Sequence, residues 1–410
     1  MNRRVVVTGM GGITALGEDW PTIRSAFAAG RTGIRFMREW DRFTGINTRL
    51  AAPVSDFSVD DRYPRKKLRS MGPVAKMAVY ATERALADAG LLDDPVVKSG
   101  RTGVAYGSSF GSPDAVLGFY ELKMHGESRN LTATNYIRMM GHTAPVNIAL
   151  FFGATGRVIP TSSACTSGSQ GIGYAYEAIK WNRADVMLAG GAEELDITDS
   201  AVFDTLYATS QQNDRPSATP RPYDRDRDGL VIGEGAATLV LEELGHARAR
   251  GARIHAEIIG FGTNSDGIHV TQPQAETMEV ALRLCLEDAN LPPTEVGFVS
   301  GHGTATEWGD IAETQATRVV LGGAIPIHSL KSYFGHSLGA CGSIEAWLSI
   351  EMMKEGWFAP TANLEVVDER CAELDYIMGK GRNIDVEHVM SNNFAFGGIN
   401  TSLVFKRWQC

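Results

Sequence analysis

Three short sequence patterns occur twice in this 410-residue chain, in the same order in each half. The first is a strand-like apolar run that ends in Gly-x-Gly, at residues 4–11 and again at 256–262. The second is an amphipathic helix-like stretch, at 81–91 and 281–291, followed by a strand that ends in glycine. Strand and helix signals also alternate throughout, so the sequence predicts an α/β protein built from two related halves.

The third pattern pairs residues 165–168 with residues 336–339, and each opens an Ala- and Gly-rich helical stretch. This pairing predicts that Cys165 and His336 lie at equivalent helix starts and face one another across a pseudo-two-fold axis. We place the N-terminal half at residues 1–250 and the C-terminal half at residues 251–410.

Cys165 lies between a short apolar run and the predicted helix, among four hydroxyl residues that suit a helix N-terminus. Unpaired N–H groups and the helix dipole favour a thiolate there, so we expect a lowered pKa and a nucleophilic role for Cys165. The alternative is a small buried cysteine that packs against the strand.

Composition limits the classes of function. Five scattered cysteines without a C-x-x-C pair argue against a disulfide framework or a metal site and favour a reducing compartment. No signal peptide or run of 18 apolar residues is present, so we expect a cytoplasmic protein without a membrane partner. A formal charge of −9 disfavours nucleic acid as a partner, although residues 65–69 form a local basic cluster. The cysteines are Cys165, Cys285, Cys341, Cys371 and Cys410.

Two glycine-rich or acidic segments imitate binding motifs. Residues 9–14 begin like a dinucleotide-binding turn but lack its sixth-position glycine or alanine. Residues 224–229 begin like a calcium loop, yet arginines separate the carboxylates and Glu234 comes one position early. We interpret the second segment as a structural loop held by ion pairs and expect no cofactor at the first.

Two histidines lie at predicted strand ends, where active sites of α/β proteins gather. His302 stands between two glycines, which would let a substrate approach the backbone closely. His336 follows Lys331 by five residues at the next strand-to-helix junction. A lone histidine is more often a structural residue, but these two share their setting with Cys165.

These motifs resemble those of the β-ketoacyl-acyl carrier protein synthases, condensing enzymes of the thiolase-like superfamily, across essentially the whole chain. The resemblance implies a five-layered αβαβα fold and a decarboxylative Claisen condensation of an acyl thioester with a malonyl thioester, without a cofactor. The matching segments are 163–168, 302–306, 309–310, 331–332, 335–336 and 392–400.

By this resemblance Cys165 holds the acyl chain, while His302 and His336 donate N–H groups to the enolate oxygen. Lys331 is an organising charge that we expect to pair with Glu313. The backbone N–H groups of Cys165 and Phe396 form the oxyanion hole, and Phe396 gates acyl entry. The resemblance further predicts a pantetheine tunnel lined by Thr271, Thr304 and Thr306.

The basic cluster gains a role from the same resemblance, because carrier proteins are acidic. Lys66 and Arg69 would dock the carrier, with Arg129 as a weaker candidate. Ser70 and Tyr207 replace basic residues that are frequent on this surface, and residues 395 and 399 depart from the usual gate sequence. A specialised synthase of polyene or polyketide-type chains therefore stands beside ordinary fatty-acid elongation.

Two alternatives remain open at this point. A thiolase-like coenzyme A acyltransferase would need a second reactive cysteine near the site, and Cys341 lies only five residues after His336, within the predicted helix. A silent partner subunit that sets chain length would typically lack the nucleophile. The sequence also leaves open whether the chain forms a homodimer or pairs with a related subunit.

Overall fold

A computed structural model describes residues 3–409, and Cys410 lies outside the described residues. The strands are β1 (Val5–Thr14), β2 (Arg35–Phe36), β3 (Leu50–Ala52), β4 (Thr102–Gly107), β5 (Val158–Thr161), β6 (Val186–Glu193), β7 (Ile232–Gly233), β8 (Gly235–Glu243), β9 (Ala256–Ser265), β10 (Phe298–Ser300), β11 (Pro326–His328), β12 (Trp357–Phe358), β13 (Asp375–Tyr376), β14 (Arg382–Asn383), β15 (His388–Ala395) and β16 (Ile399–Arg407). The helices are α1 (Trp20–Ala28), α2 (Arg65–Leu68), α3 (Pro73–Asp88), α4 (Leu117–His125), α5 (Ala133–Met139), α6 (Thr143–Phe152), α7 (Ser167–Lys180), α8 (Ile197–Asp204), α9 (Leu244–Ala249), α10 (Ala275–Ala289), α11 (Glu307–Leu321), α12 (Lys331–Phe334) and α13 (Cys341–Glu355).

The main sheet repeats one pattern of strands on either side of its centre. Its order is β13-β11-β10-β15-β16-β9-β1-β8-β6-β4-β5. On one side of the centre, β1 pairs with β8 and β8 with β6 in antiparallel orientation. Further out, β6 pairs with β4 and β4 with β5 in parallel orientation. Outward from β9, the pairings through β16, β15, β10 and β11 follow the same sequence of directions. The two halves meet where β1 pairs with β9, as a pseudo-two-fold relation requires.

Helices complete the five layers that the resemblance implies. Helices α7 and α13 contact strands of both halves and lie between them. Most residues of both helices are buried, as expected for helices covered on every side. Helices α3 and α6 cover the outside of the N-terminal half, and α10 covers that of the C-terminal half together with α11, which packs into the same apolar cluster. The predicted thiolase-like αβαβα architecture is confirmed.

The first two repeated patterns correspond in the structure, but the third is misaligned by three residues. Ala164 and Leu338, with φ angles of +49° and +40°, each open a short 3-10 turn that leads into α7 or α13. The counterpart of Cys165 is therefore Gly339. His336 precedes its turn, so the prediction that these two residues are structurally equivalent is wrong.

Strand β1 also explains the glycine-rich segment at residues 9–14. The strand continues to Thr14, and a Cβ added at Gly9 or Gly11 would lie 2.2 or 2.6 Å from the backbone of α3. These glycines allow close contact between strand and helix, and they do not form a dinucleotide-binding turn. Within residues 3–409, no helix combines the length and apolar character that a membrane crossing requires. The boundary at residue 250, between α9 and β9, stays a prediction.

Candidate active site

Cys165 occupies the 3-10 turn between β5 and α7. Neighbouring hydroxyl groups fix this turn by donating to backbone carbonyls: Thr166 Oγ1 to Ser163 O at 2.8 Å and Ser167 Oγ to Ala164 O at 2.7 Å. We expected the hydroxyl oxygens of Thr161, Ser162, Ser163 and Thr166 to accept from free N–H groups at the helix start. That expectation is wrong for α7, which has no side-chain cap.

The sulfur is buried, and apolar side chains such as Phe203 and Leu230 cover one side of it. Burial raises the pKa of the Cys165 thiol to about 11. The Lys331 charge and the backbone N–H groups of Phe396 and Cys165 oppose this rise without cancelling it. The predicted low pKa is therefore wrong for the unloaded protein, because burial outweighs the effect of the helix start. The free protein holds Cys165 as a thiol.

The two predicted histidines converge on this thiol. His336 Nε2 lies 2.9 Å from Cys165 Sγ, and the rings of His302 and His336 stand at 87° with centroids 5.2 Å apart. Both rings are buried. Burial, together with the Lys331 charge, lowers the pKa of both imidazoles well below 6.5, so both are neutral at pH 7. The crevice thus combines a nucleophile with two uncharged N–H donors.

Lys331 pairs with a different carboxylate from the one we predicted. Its Nζ donates to Glu345 Oε1 at 2.5 Å, and both side chains are buried. Glu313 instead accepts from the backbone N–H groups of His302 at 2.5 Å and Gly303 at 2.7 Å. Burial raises the pKa of Glu313 to about 7. The partner of Lys331 is therefore Glu345, and Glu313 fixes the loop that carries His302.

The glycines beside His302 serve a different purpose from the one we expected. A Cβ at Gly301 or Gly303 would lie 2.3 or 2.5 Å from the Tyr223 hydroxyl. This hydroxyl also approaches Glu313 Oε2 at 3.3 Å. The flanking glycines leave room for the phenol of Tyr223, which supports the loop from behind.

Sequence reasoning missed the roles of Glu345 and Asn393 at this site. Glu345 is the one carboxylate in the fully buried stretch 341–350 of α13, which is the signal that could have identified it. Asn393 Nδ2 donates to Glu345 Oε2 at 2.7 Å and lies 3.4 Å from His302 Nδ1. Together they connect the Lys331 charge to the imidazole.

Cys341 also reaches the site, as the first residue of α13 and not a position inside the helix. Its S–H donates to Cys165 O at 3.2 Å, and burial raises the pKa of the Cys341 thiol well above 9. One atom each from Cys165, His302 and His336 lie within 4.8 Å of one another, as do atoms of His302, Cys341 and Glu345. The first set has the ligand types that zinc accepts. In the second set, the Glu345 carboxylate already pairs with Lys331. Our expectation of no metal stays a prediction.

A cavity of about 620 Å³ leads from the surface to Cys165 and both histidines. Thr271, Thr304 and Thr306 line it, and the hydroxyl oxygens of the last two are 2.8 Å apart. Phe396 also lines the cavity and packs against Phe203, with the rings tilted by 45° and their centroids 4.9 Å apart. The cavity therefore combines hydroxyl groups along its wall with apolar side chains beside Cys165.

Phe396 stands on the turn between β15 and β16. Gly397 and Gly398 have φ angles of +88° and +70°, which glycine adopts without steric cost. Gly397 N–H donates to Val270 O at 2.8 Å, and Gly398 O accepts from Asp266 N–H at 2.7 Å. The turn that carries Phe396 is therefore anchored to the loop that carries Thr271.

The three predicted docking residues lie outside this cavity. Lys66 and Arg69 are exposed at and just after α2, and Arg129 is exposed between α4 and α5. Ser70, by contrast, is partly buried and donates to Asn147 Oδ1 at 2.6 Å.

The acidic loop at residues 221–229 is held by ion pairs, as interpreted from the sequence. Arg227 contacts Asp368 at 2.7 Å and Asp310 at 3.5 Å. Asp224 is buried, pairs with Arg221 and accepts backbone N–H groups from Asp226 and residues 365–366. These carboxylates already have partners, so the loop is structural.

Comparisons with known proteins agree with this geometry. Residues 2–247 match the family model described as beta-ketoacyl synthase, N-terminal domain, and residues 255–365 match its C-terminal domain. The 3-oxoacyl-[acyl-carrier-protein] synthase 2 of Vibrio harveyi is 36% identical over 412 residues, covering 99% of both chains.

Solved structures extend the similarity. The crystal structure of a beta-ketoacyl synthase from Burkholderia phymatum STM815 is 58% identical, with a TM-score of 0.98 over 99% of this chain and 100% of that one. A type II PKS acyl-carrier protein in complex with its ketosynthase, bound to the hexaketide, includes a chain that is 28% identical, with a TM-score of 0.89 over the full length of both. The coenzyme A acyltransferase and the silent subunit are not favoured. The chain belongs to the beta-ketoacyl synthase family and is an acyltransferase of the 3-oxoacyl-acyl carrier protein synthase class.

Proposed function

We propose that Cys165 accepts an acyl chain from an acyl carrier protein and that the bound chain is then extended with a malonyl group from a second carrier. The convergence of Cys165, His302 and His336 at the end of one cavity carries this proposal. In the first step the sulfur attacks the acyl thioester and the carrier thiol leaves. The Cys165 proton passes to that leaving sulfur, and His336 lies beside the nucleophile with Nε2 2.9 Å from Sγ.

In the second step a malonyl thioester loses carbon dioxide and its carbonyl oxygen becomes an enolate. Neutral imidazoles can stabilise this oxygen only by donating N–H groups, and the lowered pKa values of His302 and His336 keep both rings in that state. The enolate carbon then attacks the acyl carbonyl, the carbonyl–Sγ bond breaks, and the released Cys165 thiolate takes a proton from water. The backbone N–H groups of Cys165 and Phe396 serve as the oxyanion hole for this attack.

Lys331 acts without transferring a proton in this scheme. Its charge is balanced by Glu345 and lowers the pKa of both histidines and of Cys165. Thr271, Thr304 and Thr306 would hold the pantetheine arm through their hydroxyl groups. Phe396 would control entry to the apolar side of Cys165, where Phe203 and Leu230 belong to the same buried cluster as Cys165.

Carrier proteins are the proposed macromolecular partners, and Lys66, Arg69 and Arg129 are the proposed contacts. The exposed basic residues offer charge complementarity to an acidic carrier. The mouth of the cavity adds exposed apolar side chains, among them Tyr207 and Trp308. We place the reaction in the cytoplasm, because an oxidising compartment would threaten the thiol on which it depends.

We further propose that two copies of the chain pair through strand β5. This strand is at one end of the main sheet, and exposed apolar residues such as Leu150 and Val158 lie at that edge. Two such edges can pair about a two-fold axis and complete each other's hydrogen bonding. Light scattering after chromatography should give twice the chain mass, and Val158→Lys should lower it. A monomer of the unmodified chain would favour pairing with a related subunit.

Intact-protein mass spectrometry tests the central proposal. The chain is incubated with acyl carrier protein thioesters of several lengths, and Cys165→Ser is the matched control. We expect an acyl adduct on the wild type only, followed by its discharge with carbon dioxide release when malonyl carrier is added. An adduct that persists in Cys165→Ser would contradict the nucleophile assignment. The preferred adduct mass would also separate ordinary fatty-acid elongation from a polyene or polyketide-type pathway.

A further inference from the structure

Asn393 lies behind His302, on the side away from the cavity. It is fully buried on β15 and does not line the cavity, whereas His302 does. Among the described residues, its amide is the only group that supplies a hydrogen-bond donor to the His302 ring, at 3.4 Å from Nδ1. Such contacts often shorten when substrate binds. A buried amide in this place can determine which ring nitrogen carries the proton.

The orientation of the amide follows from its other contacts. Glu345 pairs with Lys331 as a carboxylate and can only accept, so the group that faces Glu345 Oε2 at 2.7 Å is Nδ2. Oδ1 lies beside Gly342, where an added Cβ would be 2.6 Å away. The second N–H of the amide is therefore the one directed to His302 Nδ1. Cys341 Sγ, at 3.8 Å from Nδ2, is the weaker competitor for it.

A neutral imidazole carries one proton, on either Nδ1 or Nε2. If Nδ1 accepts from Asn393, the proton is on Nε2, the nitrogen that remains for the cavity. The opposite tautomer would present a lone pair to the enolate oxygen and repel it. We infer that Asn393 is a positioning residue that holds His302 in the Nε2–H form needed for decarboxylation. This inference rests on the proposed function of the site.

Asn393→Asp is the sharpest variant, because it keeps the shape and replaces a donor by an acceptor. The aspartate oxygen that replaces Nδ2 would share a proton with Glu345 Oε2, and its lone pair facing His302 Nδ1 would favour the Nδ1–H tautomer. We expect the rate of carbon dioxide release from malonyl carrier to fall about 100-fold, the usual cost of losing one donor to a developing oxyanion. Acyl loading of Cys165, in which the His302 N–H takes no part, should change less than about twofold.

Two controls separate positioning from general damage. Asn383→Asp makes the same change at an exposed asparagine of β14 and should leave both half-reactions unchanged. Nitrogen NMR of protein labelled with ¹⁵N-histidine, with His302 assigned from its absence in His302→Ala, reports the tautomer directly. We expect Nε2–H in the wild type and Nδ1–H in Asn393→Asp.

Three outcomes would overturn the inference. One is Nδ1–H in the wild-type spectrum, which needs no variant to fold. Another is unchanged carbon dioxide release in Asn393→Asp, and the third is an equal loss of both half-reactions, which indicates a merely structural role. Failure of the wild type to load an acyl group would contradict the proposed function instead, and the tautomer measurement would still stand.

Discussion

The two helix entrances of the site, the turns that lead into α7 and α13, have similar backbone conformations but carry side chains of different chemistry. Each has a residue with positive φ, a 3-10 turn and a buried helix, α7 in one half and α13 in the other. The first places Cys165 among apolar side chains such as Phe203 and Leu230. The second lies beside a buried ion pair and the imidazole of His336. The repeat therefore supplies a scaffold, and the side chains divide the reaction between its halves.

One carboxylate of the N-terminal half holds the turn that leads into α13. Glu193, at the end of β6 in the N-terminal half, accepts the backbone N–H of Gly339 at 2.9 Å and that of Ser109 at 2.8 Å. Gly339 is the counterpart of Cys165, and a Cβ there would lie 2.8 Å from the same carboxylate. The C-terminal half has glycine at this position, which leaves room for Glu193 and for residues 108–109 of the N-terminal half.

Removing one charge from the C-terminal entrance should have the largest effect. Lys331→Met leaves the buried Glu345 carboxylate without its partner, so we expect stability to fall by about 3 to 5 kcal/mol. The midpoint of urea unfolding, with the slope compared between variants, measures this change. The paired variant Lys331→Met with Glu345→Leu should recover most of the loss. An equal loss of stability in the single and the paired variant would show that the shape of the Lys331 side chain, and not its charge, stabilises this half.

The N-terminal entrance is tested through the reactivity of its sulfur. Because burial raises the pKa of Cys165 to about 11, the rate of alkylation should rise about 100-fold between pH 7 and pH 9 without a plateau. Iodoacetamide labelling followed by mass spectrometry measures the rate, with Cys165→Ser to identify the site. A plateau below pH 8 would instead restore the lowered pKa that the helix start suggested.

The local sequence was sufficient to predict the parts of the site that are formed by residues close together in the chain. The repeated patterns identified the sheet halves, and the motifs around Cys165, His302 and His336 identified groups that the structure brings within 4.8 Å. Each motif sits where a strand ends and a helix begins, so its neighbours in the chain are also its neighbours in space. The structural interpretation of the loop around Asp224 succeeded for the same reason.

The missed features depend on residues that are distant in the chain. Lys331 contacts Glu345 and not Glu313, since the choice depends on how α13 passes behind the loop of His302. The pKa of Cys165 depends on burial by both halves, and no property of the helix start reveals it. The third repeat was misaligned because Cys165 and His336 share a function without sharing a backbone position.

The state of the two imidazoles gives a smaller, pH-dependent effect. With both pKa values well below 6.5, the decarboxylation rate should change less than about twofold from pH 8 to pH 6, whereas an ordinary histidine would lose about fourfold. The sign for stability is opposite to that of a salt-bridged histidine. Below pH 6.5 His302 and His336 bind protons in the unfolded chain but stay neutral in the folded protein. The free energy of unfolding therefore falls as the pH is lowered. A decarboxylation rate that halves at pH 6.5 would contradict neutral rings.

Charge at the surface of the N-terminal half should matter least. Lys66→Glu with Arg69→Glu reverses two exposed charges, so we expect KM for the carrier thioester to rise about three- to tenfold at low salt while kcat changes little. The difference should shrink at 0.5 M salt, because screening weakens steering between exposed charges. Lys380→Glu, an exposed lysine in the C-terminal half, is the matched control and should leave KM unchanged. A similar rise in KM for the control would mean that net charge, and not this docking surface, attracts the carrier.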